Sequence, residues 1–268
     1  MLAQGHGEVS VLAGGQSLVP AMNFRLATPA ALVDLNCVSG LDHVYVDEDY
    51  LVVESLVRHH TLEKPVIRDA VGSLMARMSK FVGHLPIRVR GTFVGSIAHA
   101  DPAAEWCLLA AALGATIVAQ SLSGERRIAA ADFLEGPFTT ALASDELITG
   151  VRLPLLGGAG TSFHEVSRTA GDFAAVAAIS AVRIENGAVV EAHLGIGGAE
   201  GRPARCNEAE EALLGEAPEP DAIASVARIA ADNVKPISDA FCSADYRRHL
   251  VEVLMARTVR EATAEAVA

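Results

Sequence analysis

Ala13-Gly14-Gly15-Gln16-Ser17-Leu18-Val19-Pro20 follows directly on Val9–Leu12, a short β-branched and apolar run, so the two read as a strand entering a glycine turn. Adjacent glycines let a turn expose consecutive backbone N–H groups and admit a bulky anion where a Cβ would obstruct it, and the Ser17 hydroxyl adds a donor. That is phosphate-binding chemistry, although a Gly-Gly turn between strands needs no ligand. A second stretch, Arg88-Val89-Arg90-Gly91-Thr92-Phe93-Val94-Gly95-Ser96 continuing through His99-Ala100-Asp101-Pro102 to Glu105, again sets glycines and hydroxyls at a turn. It runs toward a helix whose N-terminal dipole favours a negative ligand. Two anion-binding turns in one chain suggest a diphosphate. His99 with Asp101 offers a catalytic dyad as an alternative, but nothing supplies a nucleophile, and Asp101 reads as a helix cap.

Outward from these turns, Ala31 to Leu35 and Tyr50 to Val57 read as strands, and Asp69 to Lys80 as an amphipathic helix carrying Val71, Leu74, Met75 and Met78 at helical spacing. The segment between Pro86 and Pro102 is poor in helix formers and reads as a structured loop. Pro102 opens an Ala/Leu-rich helix through Leu113, with Asp101 as its cap and Gly114 as its stop. Ala115 to Ala119 and Leu147 to Leu153 are strands, and Ser121 to Arg127 is a polar hairpin loop. Leu155-Leu156-Gly157-Gly158-Ala159-Gly160 reads as a linker. Beyond it come a strand at Thr161 to Ser167, a helix or strand around Phe173 to Ile184, a strand at Ala188 to Gly195, and two helices, the last from Ala244. Mixed elements without a regular βαβ rhythm give the α+β class.

The 268 residues carry 33 Asp plus Glu against 21 Lys plus Arg, a net charge of -12 and 51% hydrophobic residues. Ample core material excludes disorder, and the acidic balance without a basic run excludes a nucleic-acid partner. No apolar run is long enough for a membrane span, and the start lacks the basic and apolar regions of a signal peptide. Cys37, Cys107, Cys206 and Cys242 are widely spaced, so they form neither a metal site nor a disulfide framework and read as reduced thiols in the cytoplasm. His59-His60 lacks a third ligand and reads as a surface or boundary pair. Gly195-Ile196-Gly197-Gly198 has glycines at the wrong offsets for a dinucleotide fingerprint and reads as a turn.

Together, Ala13 to Pro20, Met22-Asn23-Phe24-Arg25-Leu26, Leu32-Val33-Asp34-Leu35, Arg90-Gly91-Thr92 through Ser96, Ala98 to Glu105, Phe163 through Arg168, Gly171-Asp172-Phe173-Ala174 and Tyr246-Arg247-Arg248-His249-Leu250 resemble the flavoprotein (medium) subunit of molybdenum hydroxylases over essentially the whole chain. The family includes the middle subunit of aerobic carbon monoxide dehydrogenase and the FAD domain of xanthine dehydrogenase. The resemblance implies a two-subdomain FAD-binding fold of the vanillyl-alcohol-oxidase type, with subdomains at 1–36 and 37–154 and a C-terminal α+β domain at 155–268. It further implies FAD held at Ala13, Gly14, Gly15, Gln16, Ser17, Leu18, Thr92, Val94, Gly95, Ser96, His99, Asp101 and Glu105. Ile148 would lie against the flavin, with Asp172 and Phe173 near the isoalloxazine. The implied partners are a molybdopterin-binding large subunit and a 2Fe-2S small subunit.

This chain departs from the family pattern in three places. Val94 replaces the first of two glycines, and Glu105 stands where Asp is frequent. Only twelve residues precede Ala13, so a first subdomain without its leading strand and helix is expected. A self-contained FAD-dependent oxidoreductase is the rival reading, disfavoured by 4% aromatics. A flavin-free assembly subunit is another.

Overall fold

The computed structural model describes residues 2–5 and 8–268. Strand β1 (Val9–Leu12), helix α1 (Leu18–Asn23) and strand β2 (Ala31–Asp34) form one βαβ unit, whose strands pair in parallel from Val9 opposite Ala31 to Leu12 opposite Asp34. Next come β3 (Val44–Asp47) and β4 (Tyr50–Glu54), then α2 (Ala70–Met78), α3 (Leu85–Arg90), α4 (Phe93–His99) and α5 (Glu105–Ala112). The hairpin of β5 (Thr116–Ser121) and β6 (Gly124–Ala129) leads through α6 (Ala130–Phe133), β7 (Leu134–Gly136) and β8 (Thr139–Thr140) to β9 (Leu147–Pro154). The sheet orders as β3-β4-β9-β5-β6, all antiparallel.

The second half builds an antiparallel sheet from β10 (Gly160–Ser167), β11 (Ala174–Glu185), β12 (Ala188–Gly197) and β13 (Ala204–Arg205), covered by α7 (Asn207–Leu213), α8 (Pro220–Asn233) and α9 (Ala244–Ala266). The α+β class follows from these sheets, and the sequence expectations of strands at 9–12, 31–35, 147–153 and 188–195 hold within a few residues.

Several expectations need correction. The supposed loop from Pro86 to Pro102 holds α3 and α4. Pro86 lies in the first turn of α3, and the Thr92 hydroxyl accepts from Gly95 N–H at 3.0 Å to cap α4, so local caps override weak propensity. Asp101 does not cap α5, which starts at Glu105. Its carboxylate instead accepts from Ala103 N–H at 2.9 Å and closes the preceding turn. Part of the Ser121 to Arg127 loop is strand β6, the 173–184 segment is strand β11, and three helices rather than two follow β13. The 155–160 connection is packed rather than free: Leu156 is buried, and its N–H reaches Asp69 Oδ1 at 2.9 Å. A Cβ on Gly160 would stand 2.0 Å from the Ala262 carbonyl.

All eight residues of α5 are buried, which marks a helix enclosed on every side. It lies against β12, where Gly195 and Gly197 let Ala112 and Leu108 approach the strand closely, so the glycine string there serves packing. Among the described residues no helix is long and apolar enough to cross a membrane.

Candidate functional site

The two glycine turns lie side by side. A Cβ on Gly14 would meet the Arg90 carbonyl oxygen at 2.5 Å and Gly91 Cα at 2.6 Å, so this contact exists only because Gly14 lacks a side chain. Gly15 takes the left-handed backbone (φ +73°) that turns the chain into α1. Gly95 approaches Ala13 from the second turn. Among the described residues, the N–H groups of Gly15, Gln16, Ser17 and Leu18 donate to no protein group, and neither does Val94 N–H. A row of unpaired donors at a glycine turn forms an anion-binding concavity.

Residues outside the turns hold this arrangement. Asn36 Nδ2 donates to the Ala13 carbonyl at 2.9 Å, and the Arg58 guanidinium donates both to Asn36 Oδ1 at 2.6 Å and to the Arg90 carbonyl. One side-chain chain thus ties both turns together. His59 is buried, which corrects its expected surface placement, and it packs under Gly91, where a Cβ would come within 2.7 Å of its ring. Trp106 Nε1–H donates to His59 Nδ1 at 2.9 Å. That bond requires neutral Nδ1, and burial together with the Arg88 and Arg58 charges lowers the His59 pKa to about 4.

The expected residues fall into three groups. Ala13 to Leu18 and Thr92 to Ser96 meet at the paired turns. Val94 points into the core rather than narrowing the turn. Beyond α4, His99 packs against Phe138, the two rings tilted by 47° with a centroid distance of 5.0 Å. His99 is coupled to Asp101, and Asp101 to Glu105. Burial pushes the Asp101 carboxyl up, and it pushes Glu105 to about 7 with the nearby Asp101 charge adding to it. Ile148 is buried in β9, where its carbonyl accepts from the Ser55 hydroxyl at 2.5 Å. Asp172 and Phe173 are exposed on the loop after β10. Their neighbour Gly171 packs against His84, the residue preceding α3. That contact places the loop beside α3 and brings neither Asp172 nor Phe173 onto the turns.

Sequence reasoning missed Asn36, Arg58, His59 and Glu165. Glu165, on β10, is pushed to about 8 by burial and by the Glu105 charge, and among the described residues its Oε2 has no hydrogen-bond partner. The one legible signal was an acidic residue two positions from Phe163, on the inward face of a strand.

Residues 1–156 match the family described as the FAD binding domain in molybdopterin dehydrogenase, and residues 161–262 match the CO dehydrogenase flavoprotein C-terminal domain. The chain is 36% identical over 264 residues to the 6-hydroxypseudooxynicotine dehydrogenase complex subunit alpha of Paenarthrobacter nicotinovorans, covering 98% of this chain and 89% of that protein. It is 32% identical over 259 residues to the glyceraldehyde dehydrogenase medium chain of Sulfolobus acidocaldarius, covering 96% and 92%. The crystal structure of quinoline 2-oxidoreductase from Pseudomonas putida 86 superposes with a TM-score of 0.92 at 32% identity, covering all of this chain and 93% of that one.

Proposed function

Because the chain belongs to the FAD-binding medium subunits of molybdopterin dehydrogenases, we propose that its paired glycine turns hold the diphosphate of FAD. The observation that carries this reading is the contact of Gly14 with the backbone of Arg90 and Gly91, which sets the unpaired N–H donors of Gly15 to Leu18 beside the unpaired Val94 N–H of the second turn. The fold and cofactor are those of the FAD-carrying oxidoreductase subunit in heteromeric molybdenum hydroxylase-type dehydrogenases. When bound, FAD supplies the electron-carrying chemistry of the complex.

The chain's own part is binding and positioning. Gly15, Gln16, Ser17 and Leu18 offer backbone donors from one side of the diphosphate, and Val94 with the hydroxyl-bearing Thr92 and Ser96 from the other. Gly14 and Gly95 keep the space clear of side chains. Asn36 and Arg58 fix the distance between the turns without spending a donor on the ligand. His99, Asp101 and Glu105 meet the sugar and ribityl hydroxyls, while Ile148, Asp172 and Phe173 border the flavin.

In this reading residues 1–36 and 37–154 are the two FAD subdomains, and 155–268 is the C-terminal domain. A molybdopterin-binding large subunit oxidises the substrate, and a 2Fe-2S small subunit delivers the electrons that leave through an external acceptor. The four free cysteines suit a cytoplasmic complex. Purification of the complex tests this: acid precipitation releases one FAD per copy of this chain, and substrate bleaches the flavin only when the partner subunits are present. A chain that carries iron or molybdenum in place of flavin, or that is bleached by substrate alone, overturns the assignment.

A further inference from the structure

The loop between β10 and β11, residues 168–173, makes few bonds within itself, so its place is set by what grips it from outside. Asp172 N–H donates to the Thr169 carbonyl at 3.1 Å and Phe173 N–H to Asp172 Oδ1 at 3.0 Å, while both side chains stay exposed. On one side Gly171, at φ +79°, lies so close to His84 that a Cβ would stand 2.7 Å from the imidazole. On the other, the Arg168 guanidinium sits 5.0 Å from the ring centroid of Phe241. Just past the loop, the Ala175 carbonyl accepts from Arg247 Nε–H at 3.3 Å.

Arg247 of α9 joins two of these grips. It is 6% exposed, and all three of its guanidinium nitrogens donate. Besides Ala175, it reaches the Ile237 carbonyl through Nη1 at 2.5 Å and Asp239 Oδ2 through Nη2 at 2.5 Å. Asp239 Oδ1 in turn accepts from Phe241 N–H at 2.8 Å and Cys242 N–H at 2.9 Å, which folds the turn that sets Phe241 against Arg168. One buried guanidinium therefore holds both the exit of the loop and the ring on which its first residue rests. A forked cation matched to two carbonyls and a carboxylate is a geometry that lysine does not reproduce.

The grip passes to the first half of the chain by two routes. Gly171 meets His84, whose carbonyl accepts from Ile87 N–H at 2.8 Å and Arg88 N–H at 3.1 Å in α3, and the Ile87 carbonyl accepts from Gly91 N–H at 2.7 Å in the second glycine turn. A Cβ on Gly198 would stand 3.1 Å from the Ala175 carbonyl, and Gly198 N–H donates to the Pro102 carbonyl at 3.0 Å, next to Asp101.

We propose that Arg247 is a positioning residue for the flavin, through which the C-terminal half sets the loop of Asp172 and Phe173 against the first half. The inference rests on the FAD reading above, which borders the isoalloxazine with those two residues. Holding a bordering loop in one place fixes the polarity and the water around the ring, and with them the potential of the flavin.

Spectroelectrochemistry and visible circular dichroism of the flavin in the intact complex test this. Arg247→Lys keeps a cation for Asp239 but loses the carbonyls, so the midpoint potential and the visible dichroism both shift. Phe241→Ala shifts them in the same direction, and because Phe241 is 77% exposed this variant carries the test if Arg247→Lys does not assemble. Arg248→Lys is the control for a merely structural role. Arg248 bonds the Ala231 and Val234 carbonyls at 2.6 and 3.3 Å, so its variant loosens α9 from α8 and lowers the melting temperature while the flavin signals keep their wild-type values. Unchanged flavin signals in every variant that assembles, or an equal shift in Arg248→Lys, overturn this proposal and leave the FAD reading intact. A complex with no flavin on this chain overturns both.

Discussion

Replacing Gly14 by alanine drives a methyl group into the backbone of the second turn. The new Cβ would stand 2.5 Å from the Arg90 oxygen and 2.6 Å from Gly91 Cα, while ordinary contact starts at 3.4 Å, so the turns must part by about 0.9 Å. The atoms in the way are main chain and cannot swing aside as a rotamer would. Overpacking of this kind costs about 1–3 kcal/mol. In the free protein the turns relieve part of it by separating, but a diphosphate spanning both must hold them together, so the strain falls mainly on binding. At 1.4 kcal/mol per decade the FAD dissociation constant rises about 5- to 150-fold. Fluorescence titration of the deflavinated protein measures it, with circular dichroism melts showing that the variant is folded. Gly157→Ala is the control, since nothing lies within 4 Å of its Cβ and its φ is not positive. Gly158, at φ +72°, would add strain of its own. Equal FAD affinity in folded Gly14→Ala and Gly157→Ala refutes the shared cradle.

Arg58→Lys loses the forked contact to Asn36 and the Arg90 carbonyl, and flavin affinity is expected to drop about tenfold with only a small change in melting temperature. The His59 pKa lies at about 4 in the fold against 6.5 when unfolded, so the unfolded chain binds more protons in that interval and stability declines as pH falls from 6.5 to 4. The loss amounts to about 3 kcal/mol, and urea midpoints across that range should show a shallower decline in His59→Gln. Gly160→Ala sets a methyl 2.0 Å from the Ala262 carbonyl and pushes α9 off β10, lowering stability by about 3 kcal/mol or more, which calorimetry reads directly.

Legibility followed the range of the interactions. Strand β1, its glycine turn and β2 stand out because the signals are local: β-branched runs punctuated by Gly14-Gly15. Helices α3 and α4, of six and seven residues, escape a propensity reading because Thr92 and contacts such as Phe93 N–H to the Val57 carbonyl fix them. Strand β11 is buried along most of its length, so it shows no alternation to separate it from a helix. Strand β3, which among the described residues pairs with β4 at the edge of its sheet, carries too short a run to register. In the site, both glycine turns were legible as turns, but their closeness was not. Asn36 and Arg58 act on partners 22 to 32 residues away, a distance over which no local pattern extends.

The βαβ unit from Val9 to Asp34 has two four-residue strands and not one fully buried side chain. Such a unit is marginal by itself, so it belongs to the segments that open without global unfolding. Amide hydrogen exchange there should be fast in deflavinated protein and slow once the turns share a ligand, with protection rising as the logarithm of FAD concentration over its dissociation constant. The lifetime of bound flavin then follows the rate at which this small unit opens, and the same opening governs how quickly a protease cuts between Leu18 and Ala30.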